Sequence, residues 1–144
     1  KGLMLSIGES WSGGWIAQVL TSLTGDSGWF VTGCVTYSNE AKQRLLNVPA
    51  DYFYEDAPGA VSGETVRAMT HGAIKNSLAR VAVAVSGVAG PAGGSVEKPV
   101  GTVWIAWQWD EKTLAQCFQF PGDRRAIRAA TVAKALEGLI DLLS

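Results

Sequence analysis

The chain has 144 residues, with 12 lysines and arginines against 13 aspartates and glutamates and a formal net charge of -1. Hydrophobic residues make up 47% and charged residues 17%, a balance that excludes a disordered polyelectrolyte and argues against a DNA-binding domain with its usual basic excess. That length suits one domain over residues 1–144 with a real core, and the 17 glycines, about 12% against a usual ~7%, point to loops as the specialised parts.

Residues 3–7 read as a short apolar strand broken by Gly8. From Gly13 the pattern turns helical, with Trp15, Ile16, Val19, Leu20 and Leu23 at spacings of three and four, and Thr24-Gly25-Asp26-Ser27-Gly28 ends that helix. Residues 29–37 read as a strand around Gly33. Asn39 is placed to cap a second helix, with Glu40 in its first turn and Leu45 and Leu46 near its end. After an irregular stretch at residues 49–59, Ser62 begins a longer helix whose apolar face is Val66, Met69, Ala73, Ile74 and Leu78. Residues 81–85 alternate Val and Ala, as a strand covered on both faces would. A glycine-rich loop spans residues 87–99, and a strand then runs to Trp109. The turn Asp110-Glu111-Lys112 returns the chain into a hairpin partner over residues 114–120. Asp123 caps a last helix with Ile127, Leu136, Leu139, Ile140 and Leu143 on its apolar side. Alternating strands and helices followed by a hairpin predict an α/β fold: a three-layer α/β/α sandwich around a mixed, mostly parallel sheet.

Cys34 and Cys117 are the two cysteines, each in an apolar strand-like stretch where a buried free thiol is expected. With His71 as the one histidine, a zinc site needing about four His and Cys ligands is not expected, and no metal is assigned. No apolar run reaches the ~18–20 residues of a membrane span, and no stretch reads as a signal peptide, so a cytoplasmic, reducing setting is the expectation. The chain opens on Lys1 and runs straight into a strand, an arrangement compatible with a further N-terminal segment.

Two loops stand out by their lack of charge. Between Ser10 and Asn39 the one charged residue is Asp26, and residues 81–96 carry none. Both loops follow strands, where open α/β sheets place their ligands. In the first, Gly8-Glu9-Ser10-Trp11-Ser12-Gly13-Gly14, two glycines at a helix start let backbone amides approach an anion. One reading makes Gly13 and Gly14 a tight turn with Ser10 or Ser12 as a helix cap. The other makes Ser10 a nucleophile and the adjoining amides its oxyanion hole. A serine needs a base, and His71 in mid-helix is badly placed, whereas Tyr37-Ser38-Asn39-Glu40-Ala41-Lys42 offers a lysine at a strand–helix junction. Tyr37 and Lys42 then either face the same cleft or, in the ordinary case, pack at the core edge and stand in solvent. The glycine-rich segment lacks the closing Gly-Lys-Ser/Thr of a phosphate-binding P-loop. Ser95-Val96-Glu97-Lys98 matches a Ser-x-x-Lys pattern, but Pro99 and the glycines predict a loop there, whereas such a nucleophile needs a helix start. Arg124, Arg125 and Arg128 form the dense basic cluster, either a solvated first turn or a phosphate or dimer contact.

Together these segments resemble the C-terminal domain of the competence/damage-inducible protein CinA, the nicotinamide-nucleotide amidase family. The similarity runs through Glu9-Ser10-Trp11-Ser12-Gly13-Gly14, Thr36-Tyr37-Ser38-Asn39-Glu40-Ala41-Lys42, Gly59-Ala60-Val61-Ser62, Gly87-Val88-Ala89-Gly90-Pro91 with Glu97-Lys98-Pro99-Val100-Gly101-Thr102-Val103, and Phe120-Pro121-Gly122-Asp123-Arg124 with Ile127-Arg128. The resemblance implies hydrolysis of the carboxamide of nicotinamide mononucleotide to nicotinate mononucleotide and ammonia. It implies Ser10 as nucleophile, Lys42 as general base and Tyr37 as proton relay, with no cofactor. Trp11, Ser12, Gly13, Gly14, Asn39, Gly87, Ala89, Gly90, Gly93, Gly94 and Arg124 are the implied binding residues. A small-molecule pyridine nucleotide is the implied partner, with no membrane or nucleic acid, and a homodimer is the implied assembly. Here Trp11-Ser12 stands where the family has Cys-Thr, Gly8 where it has Ala or a small β-branched residue, and Ala92 where a glycine is common. Trp11 beside the nucleophile is placed to fill part of the cleft or stack on a ring. It supports an alternative, a nucleotide-binding paralogue without turnover.

Overall fold

Val81, Val83 and Val85 belong to one hydrophobic cluster, Ala82 and Ala84 to another on the opposite side of the same strand. That alternation divides the protein into layers. The structure is a computed structural model that describes residues 3–22 and 28–144, with Val31 described through its backbone. Its strands are β1 (Leu5–Glu9), β2 (Phe30–Val35), β3 (Val81–Gly87), β4 (Thr102–Trp109) and β5 (Lys112–Gln119). They form one sheet in the order β2-β1-β3-β4-β5. β1 pairs in parallel with β2 and β3, while β4 runs antiparallel to β3 and β5, so every strand but β4 points the same way.

The helices are α1 (Trp15–Thr21), α2 (Asn39–Leu46), α3 (Gly63–Lys75) and α4 (Arg124–Leu143). Ile16 and Leu20 of α1 and Ile127, Ala135 and Leu139 of α4 close over the valine face. Leu46 of α2 and Val66, Met69 and Ala73 of α3 close over the alanine face. The small alanines let this second layer approach closely. At its tightest point α2 ends against Gly72 of α3, where a Cβ would stand 1.8 Å from the Leu46 carbonyl oxygen. The result is the expected three-layer α/β/α sandwich.

Several local expectations change. Ser38 caps α2 by accepting from the Ala41 amide at 3.0 Å, so Asn39 is the first residue inside the helix, and it is exposed. Ser62 and Asp123 do cap α3 and α4, accepting from Thr65 at 3.2 Å and Ala126 at 2.9 Å. Leu78 lies beyond α3 and is 82% exposed, and Ile140 is 66% exposed on the outer side of α4. Cys34 and Cys117 are free thiols, but on the two edge strands they are half-buried and exposed rather than buried. Leu23 and the break at residues 24–27 lie outside the described residues. The hairpin turns through Asp110, whose φ of 55° and bidentate pairing with Arg80 at 2.8–2.9 Å fix the corner.

The topology also locates the cleft. From β1 the chain moves to β2 through α1, then crosses to the other side of β1 through α2 and α3 to reach β3. The carboxyl ends of β1, β2 and β3 therefore open onto one crevice where the connections diverge to opposite faces, the usual position for a ligand in an open α/β sheet.

Gly72→Ala tests the close helix crossing. The new methyl meets backbone that cannot rotate away, so stability should fall by roughly 2–4 kcal/mol, read as a lower urea midpoint at unchanged m-value.

Candidate active site

β1 ends in Glu9-Ser10, and the next turn reverses the chain into α1. Gly13 and Gly14 adopt φ of 66° and 93° there, a left-handed pair that side chains resist. The turn is drawn tight by the Gly13 amide donating to the Ser10 carbonyl at 3.1 Å and the Trp15 amide to the Ser12 carbonyl at 3.2 Å. Glu9 closes it from inside. Its buried carboxylate, on a residue 1% exposed, accepts from the Ser12 hydroxyl at 2.8 Å and from the Ile16 and Ala17 amides at 3.0 Å each. Neither Ser10 nor Ser12 caps α1: Gly14 holds the cap position without a side-chain bond, and Glu9 serves the first helical amides from outside the helix. Those amides are therefore committed to the protein's own carboxylate.

Lys42, on α2, turns inward and is only 1% exposed. Its Nζ donates to Ser10 Oγ at 2.9 Å, to the Thr36 carbonyl at 2.5 Å and to the Tyr37 carbonyl at 3.4 Å. Among the described residues no carboxylate pairs with it. Burial alone pushes its ammonium down from 10.5 to about 8, because removing water penalises the charged form. Ser10 itself is 5% exposed. A hydroxyl at hydrogen-bond distance from an amine that sheds its proton near neutrality is the arrangement of an activated nucleophile and its base.

Tyr37 presents its carbonyl to Lys42 at 3.4 Å, and the residue is 68% exposed. Trp11 is 7% exposed and belongs to the core cluster with Ile7 and Val85. Its indole lies against Gly87, where a Cβ would come within 2.8 Å of the ring, so the ring packs against the end of β3. Of the glycine-rich loop, Ala89 and Gly90 are buried and Gly93 and Gly94 exposed at the rim. Lys98 ties that loop to the α2–α3 connection through the Pro58 carbonyl at 2.6 Å. Ser95 and Lys98 form a local turn, with the Lys98 amide on the Ser95 hydroxyl at 3.0 Å.

The arginine cluster divides. Arg124 donates to the Gly90 carbonyl at 3.0 Å and Arg128 to the Ser12 carbonyl at 2.9 Å, so one helix face tethers both loops. Arg125 is exposed. Sequence reasoning missed the roles of Glu9 and Thr36; the available signal was a lone carboxylate directly after an apolar strand. Among the described residues no three His, Cys, Asp or Glu side chains gather as a metal site, and no helix is long and apolar enough to cross a membrane. An apolar cavity of about 620 Å³ opens at the other end of the sheet between Leu5, Leu20, Val81 and Leu139. Its lining carries no ionisable side chain, in contrast to the Ser10 end.

The structure is an α/β protein that carries a buried Ser–Lys pair at the carboxyl end of a central parallel strand. The family is equally plain. Residues 1–143 match the CinA C-terminal domain model, and the chain belongs to that family. It is 54% identical over 134 residues to the nicotinamide-nucleotide amidohydrolase PncC of Pseudomonas putida, covering 93% of this chain and 82% of that protein. The Escherichia coli K12 protein of the same name is 45% identical over 142 residues, covering 96% and 84%. A CinA-like protein of Geotalea daltonii is 49% identical over 96% of this chain, which spans only 33% of that longer relative. The crystal structure of competence/damage inducible protein CihA from Agrobacterium tumefaciens superposes with a TM-score of 0.95 at 45% identity, over 99% of this chain and 87% of that one.

Lys42→Met tests the cost of the buried amine. Holding Lys42 charged costs about 3 kcal/mol, the lowering from 10.5 to about 8 converted at 1.36 kcal/mol per pKa unit. That cost is fully present below pH 8, where folded and unfolded chains are both protonated, and is relieved as pH rises from about 8 toward 10.5. The methionine variant should therefore melt several degrees above wild type at neutral pH, with the advantage shrinking above pH 8.

Proposed function

We propose that the protein hydrolyses the carboxamide of nicotinamide mononucleotide, giving nicotinate mononucleotide and ammonia. The observation that carries this reading is the 2.9 Å contact between Ser10 Oγ and the Lys42 amine in a chain whose relatives are named nicotinamide-nucleotide amidohydrolases. Neutral Lys42 takes the Ser10 proton as Oγ attacks the carboxamide carbon. The oxyanion that forms meets the amides following Ser10 in the double-glycine turn. Collapse breaks the C–N bond, and ammonia leaves with the proton held by Lys42. Water, deprotonated by the same amine, then cleaves the acyl ester, releasing the carboxylate and restoring Ser10.

The nucleotide lies between the Ser10 loop and the glycine-rich loop in this reading. Gly13, Asn39, Gly93, Gly94 and Arg124 are exposed around the opening; Ser12, Gly87, Ala89 and Gly90 shape its walls. A relay by the Tyr37 phenol requires its exposed ring to swing over Ser10 once substrate is bound. The protein acts as a cytoplasmic homodimer and uses no cofactor. The alternative, a binding paralogue without turnover, draws on Trp11; the burial of that residue in the core cluster supports the amidase reading instead.

Two measurements test the reading. Ammonia release from nicotinamide mononucleotide should fall more than about a thousandfold in Ser10→Ala, and wild-type kcat/KM should rise with pH through about 8 as Lys42 loses its proton. Binding without turnover in the wild type would instead establish the paralogue. Separately, Trp11→Phe should lower stability by about 1–2 kcal/mol and leave KM within about twofold, because the ring supports the core; a large rise in KM would return Trp11 to the substrate.

A further inference from the structure

Thr36 has so far had no task in the chemistry. It follows β2 directly, is 0% exposed, and its hydrogen bonds all lead to the Ser10–Lys42 pair. Its amide donates to the Glu9 carbonyl at 2.7 Å, and its hydroxyl donates to the same oxygen at 3.2 Å. Its own carbonyl accepts from Lys42 Nζ at 2.5 Å. The Glu9 carbonyl belongs to the peptide that carries the Ser10 nitrogen. Thr36 thus grips the nucleophile's peptide with two donors and the base with one acceptor.

We propose that Thr36 is a positioning residue for the amidase reaction, its buried hydroxyl fixing the two peptide planes that hold Ser10 and the Lys42 amine in register. This rests on the amidase reading above. The need for such a device follows from the geometry of a neutral amine, which has two N–H groups and one lone pair. With the Thr36 and Tyr37 carbonyls at 2.5 Å and 3.4 Å taking the two N–H groups, the lone pair is left for the Ser10 proton at 2.9 Å. A Thr36 peptide free to tilt would aim that lone pair elsewhere. Sheet packing does not ask for a hydroxyl here, since valine has the same shape and the ladder bond uses the backbone amide alone.

The charged groups around Lys42 leave this control to the carbonyls. Glu9 on β1 turns its carboxylate to α1. Glu40 and Arg44 on α2 pair with each other in solvent. Glu64, Arg67 and His71 of α3 line an outer groove beyond Leu46.

The test compares Thr36→Val, which keeps the shape and removes the donor, with Thr36→Ser, which keeps the donor. Each is assayed for ammonia release across pH and for labelling of Ser10 by phenylmethylsulfonyl fluoride, followed by intact mass. Labelling needs the pair but not nucleotide recognition: Ser10 oxygen bonds to sulfur, fluoride leaves, and the hydroxyl proton passes to Lys42. Thr36→Val should lower kcat about tenfold with KM within about twofold, and should slow labelling by a similar factor. The acid limb of both profiles should move to lower pH, because the ammonium loses a well-aimed acceptor. Thr36→Ser should restore both rates to within about threefold. Unchanged rates in Thr36→Val overturn the proposal. So does a loss that leaves the acid limb in place and is not restored by serine, which is the signature of a structural role. Wild-type labelling without ammonia release defeats the substrate reading while labelling still judges Thr36. If wild-type Ser10 is not labelled, the pair and this inference fall together.

Discussion

Lys42 carries an amine into a place where it is 1% exposed and, among the described residues, meets no carboxylate, and much of the surrounding structure follows from that. A buried lysine with an acidic partner would remain an ammonium ion and serve as a structural ion pair. With carbonyls and a hydroxyl for company, the charged form keeps some hydrogen bonds but loses its hydration, and its proton comes off near pH 8. The amine is thus made easier to deprotonate by withholding water rather than by adding charge. The cost falls on stability, and the tight packing of α2 on α3 at Gly72 helps hold the helix that delivers the amine.

The Ser10 loop follows the same logic with the opposite sign. Here a buried carboxylate is present, and it is saturated: the Ser12 hydroxyl and two amides of α1 occupy Glu9. An N-terminal helix end commonly binds a ligand's anion, but this one is already neutralised from within. The left-handed Gly13 and Gly14 let the turn close on itself, with the Gly13 amide on the Ser10 carbonyl at 3.1 Å.

Much of the architecture was legible because it depends on periodicity. The Val–Ala alternation at residues 81–85 required a strand covered on both sides, and the two clusters divide along it. Ser10 and Lys42 were legible as candidates through their motifs, although their approach depends on a strand crossover that no local pattern encodes. Properties of surface and orientation were less accessible. Leu78 continues the helical spacing of α3, but the helix ends at Lys75 and leaves it in solvent. Cys117 sits in an apolar stretch, yet edge position exposes it. Ser38 and Asn39 are both competent caps, and the choice between them rests on backbone geometry. Trp11 looked like a plug beside the nucleophile; the missing information was that Gly87 leaves room beneath β3 for an indole. Thr36 left no signal because it acts through main-chain bonds to partners remote in the sequence, and Glu9 left only its place as a lone carboxylate after an apolar strand because its bonds are hidden in the turn.

The glycine-rich loop and the Ser10 loop come from strands β3 and β1, which are neighbours in the sheet, yet strand pairing alone does not set the distance between the loops above it. Arg124 and Arg128 do so from a third element, one bonding to Gly90 and the other to Ser12 across a single turn of α4. Each arginine takes a backbone carbonyl, so the tether does not depend on the side chains the loops carry. That explains how uncharged, glycine-rich segments can be held open as walls rather than collapsing onto each other. It also accounts for a cation at the start of α4, where the helix dipole alone would disfavour it: Asp123 satisfies the Ala126 amide, while the arginines direct their charge outward to the loop carbonyls. The crevice is thus bounded by two loops whose spacing is fixed by a helix that contributes none of the reacting atoms.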